Sequence, residues 1–434
     1  MSEFPRSIAQ GRPPRSGGLV ALVSLALLGA CAKVSESSYS LANGLRVDVV
    51  ASPRGDKIAV LVNYEVGLDH DPPGRAGMSH LISRLAPTCA VPGKPARTRD
   101  DLARRYGASW SVKAGSDYTT FSAAVPASKL DEELDDLAAR MGELQVGEAD
   151  LERERPALLQ DIARMRGGDP ALAAMNFAAE ALRPSRGGWR GGVPREIEEI
   201  QAGEVEAFWR AHFKPASARL VIVGDVDPAR VRAKIESAFG KIPSGAAPVR
   251  RPAAESRVTG TLVMGDAPSA VALAVGAPAP SEPLFPAFLV LAARLGPGVP
   301  PRAWKASFSP LVDPAVLLVT GAVGPQERPD DAAEHIRREI TSLVSAAPAK
   351  GEVRAAVAAF GVDLGTVPLK PGACERDPMG VAFARARAAQ LRIDGKALAR
   401  SMEALTPDQL AAAAKLFEPR QTAAVVAGGA IPPP

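Results

Sequence analysis

Gly77-Met78-Ser79-His80-Leu81-Ile82-Ser83-Arg84 is the stretch whose reading decides the rest of the chain. The run stops before Pro87, so it predicts a helix from Met78 to Leu85. On such a helix His80, Ser83 and Arg84 stand at i, i+3 and i+4 and share one face. An imidazole there can bind a metal ion. A hydroxyl three residues on is a poor general base near neutral pH, and a guanidinium is charged, has no free lone pair and repels a cation. One candidate ligand, His80, therefore stands with neither a second ligand nor a base beside it.

Working outward, the helix is entered through Val66-Gly67-Leu68-Asp69-His70-Asp71-Pro72-Pro73-Gly74-Arg75-Ala76. Farther on, Leu151-Glu152-Arg153-Glu154-Arg155-Pro156-Ala157-Leu158-Leu159-Gln160-Asp161-Ile162 forms a second charged helical stretch. Together these resemble the insulinase and pitrilysin (inverzincin) zinc-peptidase family, whose members carry H-x-x-E-H at the first helix. The resemblance puts His80 at the first ligand position, Ser83 at the general base and Arg84 at the second ligand. It matches Glu154 to the family's supporting acid and Asp161 to its remaining zinc ligand. Asp can bind zinc, but its side chain is one methylene shorter than Glu, so the helix would have to move closer. The resemblance implies a degenerate motif: no catalytic residue, a vestigial metal pair His80 and Asp161, and no cofactor where active relatives hold zinc.

At the start of the chain, Arg6, Arg12 and Arg15 precede the apolar run Leu19 to Leu28, which is followed by Gly29-Ala30-Cys31. A positive leader, an apolar stretch too short to span a bilayer stably and a small-residue cleavage site make a signal peptide over residues 1–30. Cleavage directly before Cys31 resembles a bacterial lipoprotein signal, with Cys31 as the lipidation site; the other reading is an ordinary secretory signal. Ala32 after the Cys points to the outer membrane of a bacterial cell envelope, facing the periplasm. Without residues 1–30, which carry three Arg and one Glu, the net charge falls from +4 to +2. That balance gives no footing for nucleic acid. Cys89 and Cys374 lie far apart in the chain, as two buried thiols or one bridge between domains, with two thiols favoured.

Residues 31–38 read as a polar tether. Leu45, Val47 and Val49 then alternate with polar partners after the turn pair Asn43-Gly44, as a half-buried strand requires. A strand from Ile58 to Val66, a helix from Arg99 to Tyr106 and strands from Ser109 to Lys113 and Tyr118 to Val125 follow. Helices come next from Ser128, Ala149 and Pro170. Asp131-Glu132-Glu133 reads as a solvated helix start, where carboxylates suit the positive helix end. Gly107-Ala108-Ser109-Trp110, Gly192 to Ile200, Val205 to Trp209, Lys214-Pro215 and Ala218 to Pro228 carry the resemblance through residues 39–243. In active relatives the strand at Ser109 to Lys113 offers an Asn and receives substrate as an added strand; here Ser111 takes that place. Residues 244–253 are rich in Pro, Gly and Ala and read as a linker. Residues 254–434 repeat the strand, strand, helix, strand order, so the resemblance implies two related α+β domains, each an antiparallel sheet packed with helices, forming a clamshell. The Leu-Arg-Glu and Gly-Leu-Ala-Tyr runs with which active relatives close over zinc are missing from the second half. Leu295 to Lys305 keeps a glycine-containing turn and Arg302, read first as an exposed residue and second as a substrate contact. That turn resembles the glycine-rich loop in the non-catalytic subunit of mitochondrial processing peptidase.

One rival metal set is His70, His80 and Asp161, although a loop His such as His70 is more often solvated. His212 and His335 sit on helical segments where no Cys, His or acidic residue at ligand spacing stands out, so each reads as a surface or helix-end residue. There is no G-x-S-x-G elbow, Gly-rich phosphate loop or C-x-x-C pair. The expectation is a catalytically inactive insulinase-family homologue, tethered to a membrane through Cys31, that serves as helper or substrate-binding subunit of an active zinc-peptidase sibling. A peptide or unfolded polypeptide is the substrate class, and the substrate-binding residues are unknown. The alternatives are a zinc metallopeptidase with an altered site and an envelope scaffold or binding lipoprotein.

Overall fold

A computed structural model describes residues 34–53, 55–167, 169–182, 192–247, 260–265, 267–296, 303–312, 315–347, 349 and 351–428. The expected signal peptide, Cys31, Arg302 and much of the linker lie outside the described residues.

The first half runs through β1 (Ser35–Ser40), β2 (Arg46–Ala51), β3 (Ile58–Tyr64), α1 (Met78–Leu85), α2 (Arg99–Tyr106), β4 (Trp110–Ala114) and β5 (Thr119–Val125). It continues through α3 (Leu130–Gly142), α4 (Glu148–Gly167), α5 (Pro170–Leu182), α6 (Pro194–Glu199), α7 (Ala202–His212), β6 (Ala218–Gly224) and α8 (Pro228–Phe239). The second half begins with β7 (Gly260–Met264), β8 (Ala270–Gly276), α9 (Phe285–Arg294), β9 (Trp304–Ser307), β10 (Val316–Ala322) and α10 (Pro329–Ser345). It ends with α11 (Glu352–Ala359), α12 (Gly361–Leu364), α13 (Pro371–Arg376), α14 (Pro378–Gln390), α15 (Gly395–Glu403), α16 (Pro407–Ala414) and β11 (Thr422–Ala427).

The first sheet has the order β1-β2-β6-β3-β5-β4 and the second β7-β11-β8-β10-β9. Without β1 the two orders are the same. The single parallel pair recurs as well, β2 with β6 and β7 with β11, while the other pairs are antiparallel. The two halves thus share one topology, as the resemblance implied.

β1 corrects the expected tether. Its residues are mostly exposed and polar, which is why Ser35 to Ser38 reads as a spacer, yet Ser35 to Ser40 pair with Ala51 to Arg46 as an edge strand. Ser38 Oγ donates to Asp48 at 2.6 Å and fixes that edge. β9 was not foreseen either: four residues beside a proline-rich turn carry too little pattern, and their pairing with β10 supplies the order.

All seven residues of β3 are buried, because both faces of the first sheet are covered. Ile58, Val60, Val62 and Tyr64 join the core shared with α1, α3, α4, α7 and α8. Ala59 and Leu61, with Val221 and Val223 of β6, instead meet Val381, Ala382 and Ala386 of α14, a helix from the other half. The exchange is mutual. Ala173, Ala174, Ala178 and Leu182 of α5 cover Ala272 and Ala274 of β8 and Ala423, Val425 and Ala427 of β11. Alanine on both sides lets helix and sheet approach closely.

One charged side chain is buried in this exchange. Arg387 of α14 has no exposed side-chain surface and makes a bidentate pair with Asp117, at 2.8 and 2.9 Å, in the turn between β4 and β5. Its Nε donates to Leu311 C=O at 2.8 Å, and its guanidinium lies 4.0 Å from the Tyr118 ring centroid. Gln390 completes the link by donating to Asp117 C=O at 3.0 Å and accepting from Asn63 of β3 at 2.9 Å.

Candidate functional site

α1 is held at its start by a buried carboxylate. Asp71 accepts from the N–H groups of Gly77 and Ser79 at 2.8 and 2.9 Å and from Ser79 Oγ at 2.6 Å, satisfying donors that the first helical turn leaves open. Burial pushes the Asp71 carboxyl up to about 7, helped by Asp69 and opposed by the bonds from Ser79 and Gly77. Gly77 is required twice over: its φ is +104°, and a Cβ would lie 2.6 Å from Ile197 Cγ1. Met78, Leu81, Ile82 and Leu85 are buried in the core, and Arg84 is turned toward α4.

Ser83 and Arg84 are arranged for cohesion. Ser83 Oγ donates to the C=O of His80 at 2.7 Å, so the hydroxyl at the base position is used inside its own helix. Arg84 reaches α4 with two edges of its guanidinium: Nε lies 3.2 Å from Glu154 Oε2, and Nη1 lies 2.6 Å from Asp161 Oδ2. The long guanidinium spans the gap left by a short aspartate. Glu154, 2% exposed, is also paired with Arg99 of α2 at 3.0 Å and with Arg153 at 3.4 Å. Asp161 is paired with Arg164 as well. The Arg99 guanidinium lies 5.9 Å from the ring centroid of Trp110, which ties the cluster to the edge strand β4.

Zinc does not fit these residues. Both carboxylates of α4 that would serve a metal are engaged by a guanidinium, which repels a cation and offers it no lone pair. His70, His80 and Asp161 do not assemble, and among the described residues no three His, Cys, Asp or Glu side chains could hold a metal ion. His70 is not a solvated loop residue. It is buried, and its Nδ1 accepts from Gly67 N–H at 3.2 Å, within its own loop. His80 remains part-exposed on α1, one turn before Arg84.

Glu133 corrects the reading of the acidic run: it is buried and accepts from Tyr106, while Asp131 and Glu132 hold exposed ion pairs. His335 lies 3.5 Å from Glu339 on α10, and His212 packs against the Phe208 ring. Cys89 and Cys374 are separate buried thiols, and burial pushes both up. The sequence reading missed Arg99 and Arg153. Their signal was the excess of Arg around a single buried-type Glu, which only a three-helix neighbourhood makes legible. Ser111 is exposed on β4, whose outer edge has no strand beside it among the described residues. A hollow of about 340 Å³ opens at the start of β4, with Lys57, Trp110, Ser111 and Met379 in its wall.

Residues 199–360 match the family described as the peptidase M16 inactive domain. The zinc protease PqqE of Helicobacter pylori is 25% identical over 202 residues, which cover 45% of this chain and 44% of that protein. The chain thus spans about half the length of the curated relatives it matches. The crystal structure of a protease from Helicobacter pylori superposes with a TM-score of 0.75 at 20% identity, covering 91% of this chain and 99% of that one. A peptidase M16 inactive domain from Pseudomonas fluorescens gives 0.71 at 16% identity, covering 92% and 98%. The motif position, the repeated sheet and these likenesses together make the chain similar to the insulinase-like, or M16, peptidases, with the family match itself on residues 199–360.

Proposed function

We propose that this chain is a non-catalytic member of its family, tethered to the bacterial envelope through lipid on Cys31, and that it holds polypeptide for an active zinc-peptidase sibling. The observation that carries the reading is the Arg84 pairing with Glu154 and Asp161, which puts a fixed cation where an active relative would need a metal. Ser83, bonded to its own helix, supplies no base. What remains suited to work is surface. An edge strand such as β4 can take an extended peptide as an added strand through main-chain hydrogen bonds.

The test is affinity purification of the tagged, lipidated chain from its own membranes, with mass spectrometry of what accompanies it and zinc determined on the same sample. A zinc-bearing sibling in near-equal amount is the expected result. The chain alone without zinc would favour an envelope scaffold; the chain alone with about one zinc, together with chelator-sensitive peptide cleavage, would establish an altered metallopeptidase. Replacing Cys31 by Ser should release the chain from the membrane fraction.

A further inference from the structure

Glu154 and Asp161 lie seven residues apart on α4, two turns along one helical face, and both are turned to the same side chain of α1. Two carboxylates presented to a neighbouring helix, one of them 2% exposed, destabilise the pairing of the helices unless a cation stands between them. In a metal site a bound ion meets that need, and it is lost to acid or to a chelator.

We propose that Arg84 is the resident cation of this former metal site: a covalently attached substitute for the ion that fastens α1 to α4 and makes this half of the fold independent of metal. Its chemistry suits the role, because Nε and Nη1 present donors along different edges, so one planar group serves two carboxylates at once. Arg99 and Arg153 complete the shell of Glu154, and Arg164 that of Asp161. Arg153 is shared with Asp150 at 2.7 Å. Four guanidiniums therefore face three carboxylates, and the cluster is compensated without any added ion. Arg84 is a positioning residue in this account. The inference concerns only α1 and α4 and holds whichever partner the chain has.

The experiment is thermal unfolding of the purified full chain in EDTA and in added zinc, for the wild type and for R84M, D161N and R84M/D161N. The wild type should melt at one temperature in both media. R84M removes the charge while keeping an unbranched side chain and should melt roughly 1–4 °C lower. D161N in the R84M background should recover part of that loss, because it removes the stranded carboxylate; in the wild-type background it should only destabilise. A wild-type melt that falls in EDTA or rises in zinc would overturn the proposal, and this comparison stands even if R84M does not fold. R84M melting with the wild type, or R84M/D161N no better than R84M, would overturn it as well.

Discussion

Two arginines stand at sites of different kinds in this molecule. Arg84 joins two helices within one half, is 18% exposed and shares its carboxylates with three other arginines. Arg387 joins the two halves, is wholly buried and donates from Nη2 to both carboxylate oxygens of Asp117. The neighbours of the first can take up part of its load. The other contacts of Arg387 among the described residues include a carbonyl, an amide and the face of Tyr118. The difference teaches that a guanidinium within one half can work in a shared cluster, while one between the halves works as a buried link added to the apolar packing of α5 and α14.

The sharpest way to break that contrast is Arg387→Ala. It removes a buried guanidinium from Asp117 and Gln390 at the junction of the halves and should cost about 3–5 kcal/mol in urea unfolding. Arg84→Ala should cost less, about 1–3 kcal/mol, since Glu154 keeps Arg99 and Arg153 and Asp161 is a third exposed. Equal costs would erase the distinction.

Asp71 probes the other end of α1. Its folded value near 7 lies above the roughly 3.9 of an unfolded aspartate, so the folded state binds the proton more tightly between those limits. The stabilisation is complete below about pH 4 and is lost as pH rises through about 7. The unfolding free energy of the wild type relative to D71N should therefore fall across that window, with a slope of at most about 1.4 kcal/mol per pH unit. A flat difference would mean that the three donors to Asp71 balance its burial, and a rising one that they outweigh it. The smallest effect is expected at Arg392, which ends the helix that carries Arg387. It sits at φ 56°, with Ile393 N–H donating to Ala388 C=O at 2.9 Å, a helix end that favours glycine. Arg392→Gly should raise stability by about 0.5–1 kcal/mol, read as a shift in urea midpoint.

Much of the fold was legible because its strands are apolar runs between strong turn signals. Ile58 to Tyr64, Ala270 to Gly276 and the helix Met78 to Leu85 stand where their residues suggest. Polar β1 was not, since an edge strand buries little and so needs little apolar pattern. Nor did the sequence tell that α5 and α14 change partners, because an alanine-rich helix face does not name the sheet it will cover.

At the candidate site the sequence by itself determined what is chemically missing. Ser83 and Arg84 cannot act as base and metal ligand, whatever surrounds them. It also set Glu154 and Asp161 two turns apart on one helix face. Only the tertiary structure decided what the remaining groups do, because the charge that compensates a buried carboxylate comes from other helices. Arg84, Arg99 and Glu154 are brought together by the packing of α1, α2 and α4, and Arg387 meets Asp117 across 270 residues of chain. Pairings at that separation depend on how layers stack, and the residues on either side carry no local mark of it.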